Sequence, residues 1–277
     1  MAKNELVANF TKDLDTCLSG VSEALPNDFN RARFLQNTIA LVRNNPNLQK
    51  YSKTELLEGS LRAAYLGCDF LNQEAWLVPY DGHLRFQLGY KGACKFVKKY
   101  SIRPLKDIYA KVVREGDEFK YEIVDGESSV YFKPEPFNNK EMKGVFAVAL
   151  FADGGYLVET MSKDDVDKIR RRSRASGSGP WVTDYEQMAL KTVLKRLTKN
   201  IETDFDNVEQ KNAWDSDNDE FEKIGSNEMV IDPFTDEVNE NGEENPQSED
   251  SSIIDTTIVN EETVDEKIVA EAKEVFK

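Results

Sequence analysis

Trp76-Leu77-Val78-Pro79-Tyr80, Asp81-Gly82 and His83-Leu84-Arg85-Phe86-Gln87-Leu88 form the stretch from which the rest of the chain is read. Two runs of alternating character flank an Asp-Gly pair, and Asp-Gly supplies the positive φ that a two-residue turn between twisted strands requires. The spacing predicts a β-hairpin with Leu84, Phe86 and Leu88 on one face and His83, Arg85 and Gln87 on the other. Pro79 has no N–H to give a neighbouring strand, which places the first strand at an edge or a bulge.

Upstream of the hairpin the period is helical. Phe34, Leu35, Thr38, Ile39, Leu41 and Val42 make an apolar band across 29–44 that ends before Pro46. Ser52 followed by Glu55 is a capping-box signature, opening a helix with Leu57, Leu61 and Ala64 on one face and a stop at Gly67. Downstream, Gly92–Tyr100 reads as a helix with Ala93, Phe96 and Val97 toward the core. Strands are expected at about 107–114, 118–124, 128–133, 143–152 and 155–160, with turns at Asp125-Gly126 and Asp153-Gly154-Gly155. Ser162 with Asp165 begins a further helix, and Thr183 with Glu186 caps a last long one reaching about Asn200. The pattern implies an α+β fold in which a hairpin-rich antiparallel sheet packs with helices.

A length of 277 residues suits one or two domains. Cys17, Cys68 and Cys94 are odd in number and far apart, which argues against a disulfide framework or a zinc site and for small buried side chains. The polar opening Met1-Ala2-Lys3-Asn4-Glu5 has no signal-peptide core, and no run of 18 apolar residues occurs, so the expectation is a cytoplasmic protein without membrane contact.

The net charge of −15 averages two unlike regions. Residues 201–277 hold 25 acids and 5 lysines, whereas residues 1–200 hold 26 acids and 31 bases, a net of +5. Such asymmetry points to a nucleic-acid-binding core with an acidic appendage. Residues 1–24 are read as an arm or helix and a candidate oligomer contact, and 25–205 as the core. Residues 206–260 are expected to be an acidic disordered linker, since runs such as Asp215–Glu220 cannot bury enough apolar area to order themselves. In 261–277, Val264, Ile268, Ala272 and Val275 recur at helical spacing, the pattern of a short amphipathic segment that docks on a partner.

The positive charge is concentrated in two places. Lys91, Lys95, Lys98, Lys99, Arg103 and Lys106 form a run without an acid, and on a helix the four lysines are expected to share a contiguous surface. Arg170, Arg171, Arg172 and Arg174 precede a Gly/Ser loop, and Lys191, Lys195 and Lys199 then recur every four residues beside Arg196. Each cation near a phosphate releases a condensed counterion, so two such runs fit a polyanion. Trp181, and less specifically Tyr80 and Tyr90, are candidate platforms for bases. Solvated helix faces also carry Lys at i and i+4, and arginine at a helix C-terminus favours the macrodipole, so one stripe alone would decide nothing.

Other chemistry finds little support. Gly89-Tyr90-Lys91-Gly92-Ala93-Cys94-Lys95 lacks the spacing and ending of a Walker A loop, which argues against an ATP-driven motor. His83 is the one histidine in the chain, leaving no material for histidine-rich metal sites. Asp153 and Glu159 are the best carboxylates for a metal-dependent nuclease, but Met161 stands where a lysine is wanted. No catalytic residue, cofactor or metal is assigned.

Leu66-Gly67-Cys68-Asp69-Phe70-Leu71-Asn72-Gln73-Glu74-Ala75-Trp76-Leu77-Val78-Pro79-Tyr80, followed by Phe86-Gln87-Leu88-Gly89-Tyr90-Lys91-Gly92, resembles the signature of the RecT family of phage recombinases. Pro180-Trp181 leading into Tyr185-Glu186-Gln187-Met188-Ala189-Leu190-Lys191-Thr192-Val193-Leu194-Lys195-Arg196 resembles it as well, and the resemblance runs over about 25–205. Trp76 departs mildly from a family that often has Tyr there. The resemblance implies a RecT/Redβ-like α+β annealing core with a positively charged groove. It also implies phage recombination without ATP, in rings or helical filaments that pair single-stranded DNA with its complement. A phage exonuclease and the host single-strand-binding protein are the partners it implies, the latter through the C-terminal region. A passive single-strand coat or scaffold is the alternative that the residues leave open, with the nuclease behind it.

Overall fold

The computed structural model describes residues 2–80, 82–124, 126–173 and 176–222, all within one compact unit spanning Met1–Glu237. The amphipathic segment expected at 261–277, most of the linker expected at 206–260, and Arg174 lie outside the described residues. The chain begins with α1 (Ala2–Gly20), α2 (Arg31–Asn44) and α3 (Lys53–Tyr65). The hairpin β1 (Ala75–Tyr80) and β2 (His83–Leu88) follows, then α4 (Tyr90–Tyr100). Next come β3 (Leu105–Arg114), β4 (Glu118–Val124), β5 (Glu127–Lys133), β6 (Met142–Phe151) and β7 (Tyr156–Ser162). The last described elements are α5 (Lys163–Arg172), the single turn α6 (Pro180–Thr183), α7 (Tyr185–Lys199) and α8 (Val208–Glu222). The α+β class read from the sequence is the class observed.

The hairpin forms in the expected register, Tyr80 opposite His83 and Leu77 opposite Phe86, with Gly82 at φ +76°. Leu84, Phe86 and Leu88 are buried, and α3 closes on Leu77 so tightly that a Cβ on Gly59 would sit 2.4 Å from its Cδ2. Gly92 serves the same purpose in α4. A Cβ there would stand 2.1 Å from the Glu74 carbonyl, so only glycine lets α4 rest against the start of β1.

The second sheet has the order β3-β6-β7, all antiparallel, and alternation along β6 divides the interior. Val145, Ala147 and Ala149 point to the helices, while Phe146 and Val148 point to the β4–β5 hairpin, where Phe119 meets Phe146 at a tilt and Phe132 meets it edge-on, ring centroids 5.0 and 5.1 Å apart. On the helix side α7 lies along the sheet and α4 lies beside α7. α1 places Phe10, Leu14 and Leu18 in the main core against α2 and α3.

The capping box read from the sequence at Ser52/Glu55 is formed, and the helix start read at Ser162/Asp165 is a capping box as well. The cap expected at Thr183/Glu186 is not. Pro180–Thr183 makes a turn of its own, Asp184 occupies the N-cap of α7 without a side-chain bond, and Thr183 donates to the Asp184 carboxylate at 2.6 Å. Glu186 is drawn instead to Arg114 of β3, 2.5 Å away.

The folded core also extends past the boundary expected at 205. Asn207 accepts from the N–H of Gln210 at 2.8 Å, which starts α8, and Ala213 and Trp214 enter the main core. Trp214 stacks on Phe96 of α4 with ring centroids 4.7 Å apart. Glu209 and Asp215 of this helix are half-buried and stand outside the apolar core, so an acidic composition concealed the helix.

Two predictions follow from these contacts. A chain ending at 205 should be destabilised, because losing Trp214 alone removes packing worth about 3–5 kcal/mol, whereas a chain ending at Glu222 keeps every contact described. Urea unfolding of both chains checks this, and equal stability would show that α8 contributes nothing. Glu55 supplies the second. Hydrogen bonds from the Ser52 hydroxyl, the Leu84 N–H and the Ser52 N–H hold its carboxyl at about 2, below the ordinary 4.5. A depressed folded-state value means stability fully present above pH 4.5 and lost as pH falls toward 2. Glu55→Gln should therefore flatten the dependence of urea midpoints on pH in that window.

Candidate nucleic-acid interface

The first basic run lies on α4 and the loop after it, and every described charge in it but one has a polar partner within the chain. Lys91 donates to Gln73 at 3.0 Å, and Lys95 to the Gly67 carbonyl at 2.7 Å and to Glu74 at 2.8 Å. Lys99 pairs with Asp28, holding that carboxyl below its ordinary range. Lys98 turns the other way, to Asp107 of β3 at 3.0 Å, and lowers that carboxyl in the same manner. Arg103 makes a bidentate pair with Asp153 at 2.9 and 3.1 Å, with its guanidinium 4.0 Å from the centroid of the Phe151 ring. Lys106 is exposed and has no carboxylate partner among the described residues.

Lys91, Lys95, Lys98 and Lys99 lie within one arc of about 100° around α4, but their ammonium groups part toward two sets of partners. Lys98 and Lys99 are adjacent in sequence and therefore about 100° apart around the helix axis. Lys91, Lys95 and Lys99 reach toward 67–74 and Asp28, and Lys98 reaches toward the sheet. On the first side Lys95 and Lys99 border a cleft of roughly 250 Å³ closed by the start of α2 and the loop before β1. Arg33 of α2 lines this cleft too, 3.2 Å from Asp69. Nothing in the sequence around Arg33 marks it, because its neighbourhood to Lys95 and Lys99 is created only when α2 meets α4.

The second run is ordered by α5 and α7. Arg170 donates to the Ser176 carbonyl at 3.0 Å, and its guanidinium lies 5.7 Å from the Tyr185 ring at the start of α7. Arg171 and Arg172 are exposed at the end of α5. Along α7, Lys191 and Lys195 are half-buried, with the Lys191 ammonium 3.8 Å from the Met188 sulfur, and the Lys199 ammonium is buried. Arg196 is paired with Glu159 of β7 at 2.8 Å, and Asn200 donates to the same carboxylate at 3.0 Å. Trp181 is overturned as a platform for bases. It is 3% exposed and packed near Tyr185, because the turn at Pro180 drives the ring inward.

The helices that carry the two runs are neighbours. Ser101 and Thr203 form an antiparallel bridge, and the Ile102 N–H donates to the Glu202 carbonyl at 3.1 Å, so α4 and α7 end together. Arg170 stands at the other end of α7, about 20 Å away at 1.5 Å rise per residue. That length matches roughly six phosphates of one strand at ~3.4 Å each. Most of the pairs that hold these cations are partly exposed, and exposed pairs contribute only about 0–1 kcal/mol. A phosphate can thus replace a carboxylate at little cost. Asp153 and Glu159, the carboxylates considered for a nuclease, are each engaged by an arginine, and no group of three potential metal-ligating side chains stands together among the described residues. No described helix is long and apolar enough to cross a membrane.

Comparison with known proteins adds independent information. Protein RecT of Escherichia coli (strain K12) is 27% identical over 191 residues, 65% of this chain and 70% of that protein. An uncharacterized protein, YqaK of Bacillus subtilis (strain 168), is 28% identical over 170 residues, 60% of this chain and 57% of that one. The model of the RecT family matches residues 32–232, a span that takes in the hairpin, both basic runs and α8. With that span and those relatives, the chain belongs to the RecT family of DNA single-strand annealing proteins.

Proposed function

We propose that the protein anneals complementary DNA strands without ATP, acting as a homo-oligomer that grips the backbone of one strand while its bases pair with a second. The observation that carries this reading is the joining of α4 and α7 at their C-terminal ends, which puts the two cationic runs on adjacent helices. Lys98, Arg103 and Lys106 at one end of α7, Lys191, Lys195 and Arg196 along it, and Arg170, Arg171 and Arg172 at the other are the proposed backbone contacts, with the buried Lys199 ammonium adding charge from beneath. Lys95 and Lys99 extend the set onto the cleft beside α2, with Lys91 one turn before Lys95 on α4. Backbone contacts hold a strand without reading it, which annealing requires, since the complement must supply the sequence information. Polymerisation would sum weak contacts per protomer into tight binding. In the cytoplasm a phage exonuclease would expose the strand, and the host single-strand-binding protein would be met on it, with 261–277 as the docking segment.

Mixing complementary oligonucleotides with and without the protein, in the absence of nucleotide, tests this directly. The expected result is faster duplex formation at low salt. Unchanged kinetics would sink the proposal, and slowed pairing would identify a passive coat. The joint substitution Lys191→Glu and Lys195→Glu should weaken single-strand binding and reduce the slope of log affinity against log salt by roughly 1.4, about 0.7 per lost phosphate contact. An unaltered slope would remove α7 from the interface.

A further inference from the structure

The β1–β2 hairpin has a second face that the core does not use. In the observed register Trp76, Val78 and Tyr80 stand opposite Gln87, Arg85 and His83 on this side. Trp76, Tyr80, Arg85 and Gln87 are partly exposed, and the His83 side chain is 74% exposed. Val78, 7% exposed, joins neither apolar cluster, and its cross-strand partner is Arg85. The Arg85 guanidinium lies 4.4 Å from the centroid of the Tyr80 ring.

This face continues into α4. The Trp76 indole nitrogen is so close to Gly89 that a Cβ there would lie 3.3 Å from it, and Gly89 is the N-cap of α4. Lys91 follows within the first turn, and no side chain caps the amides of that turn. None of the six outward side chains of the hairpin is a carboxylate. Glu55 reaches the far end from α3, accepting from the Leu84 N–H at 3.1 Å and standing 3.1 Å from His83 Nδ1.

We propose that this face is a stacking platform for the unpaired bases of a nucleic-acid strand. Trp76 and Tyr80 supply π-faces about 13 Å apart along the strand, four residues at ~3.3 Å each, and Arg85 between them stacks and meets phosphate. A purely hydrophobic protein partner would not call for the guanidinium, and a purely electrostatic contact would not call for the rings. Stacking engages the faces of bases and leaves their pairing edges open, so it is compatible with annealing. The inference rests on the strand-binding reading above and assigns to that reading a site for bases, separate from the cationic helices.

The test compares binding of oligothymidine with binding of an abasic strand of equal length, using the full chain and the Trp76→Ala/Tyr80→Ala variant. Affinity for oligothymidine should fall roughly tenfold or more, with affinity for the abasic strand unchanged, and Trp76→Phe/Tyr80→Phe should restore most of the loss. If the unaltered chain binds neither strand, the strand-binding reading fails and this site with it. If the unaltered chain binds and the double variant matches it on both strands, or loses equally on both, the platform is refuted while strand binding stands. A measurement on the unaltered protein guards against a misfolded variant. Trp181 and Trp214 are buried, so emission quenched by iodide comes from Trp76. Oligothymidine should protect it and the abasic strand should not, and equal protection by both would overturn the inference.

Discussion

Small residues on the middle strand of the three-stranded sheet set the distance on which the rest of the molecule depends. Ala147 and Ala149 of β6 and Ala189 of α7 are fully buried in one apolar layer, and Gly144 lies so near β7 that a Cβ would stand 2.5 Å from the Met161 carbonyl. Close packing of this kind tolerates few added methylenes. It fixes α7 on the sheet, and α7 in turn fixes α4 beside it. Trp214 completes the arrangement by stacking on Phe96 from α8. The cationic side chains therefore project from two helices whose separation is set by the core and not by their own repulsion.

Given that scaffold, the charges need only be kept from collapsing onto one another. Carboxylates from five different segments do this: Asp28, Glu74, Asp107, Asp153 and Glu159 each hold one cation of α4, α7 or the loop between α4 and β3. Glu74, with its side chain 11% exposed, is the most enclosed of them. Its hold on Lys95 should be the hardest to exchange, because a buried carboxylate stripped of its cation bears a desolvation cost that the exposed Asp28 and Asp107 escape. Lys106, Arg171 and Arg172 are exposed and meet no such competition among described carboxylates.

How much of this the sequence disclosed depends on the range of the forces involved. The β1–β2 hairpin, the capping boxes at Ser52 and Ser162 and the five strands after α4 are specified by neighbours a few positions away, so periodicity and turn chemistry expose them. Trp181 could not be placed in the same way. Whether a ring faces solvent or core is decided by the direction in which the turn at Pro180 delivers it, and that depends on α5 and α7 being already in place. The divergence of Lys98 from Lys99 was implicit in helical geometry, but its consequence required knowing that Asp107 and Asp28 lie on opposite flanks of α4. Only α8 had a local sign that acidic surroundings obscured: Asn207 with Gln210 three residues later, then Ala213-Trp214.

The division between grip and display follows from these placements. A protein that fixed bases by their edges would compete with the complementary strand for the same hydrogen bonds, and each correct contact would slow the exchange that annealing needs. In the proposed reading, cations on α4, α5 and α7 would engage what every nucleotide has in common, and the exposed rings of the hairpin would engage the one surface of a base that pairing leaves unused. Neither mode would distinguish one sequence from another, so discrimination would rest with the incoming strand. The cationic grip would weaken as salt rises, because releasing condensed counterions gains less in concentrated salt, while stacking would depend on salt far less. Rising salt would then shift the balance of binding from the helices toward the hairpin.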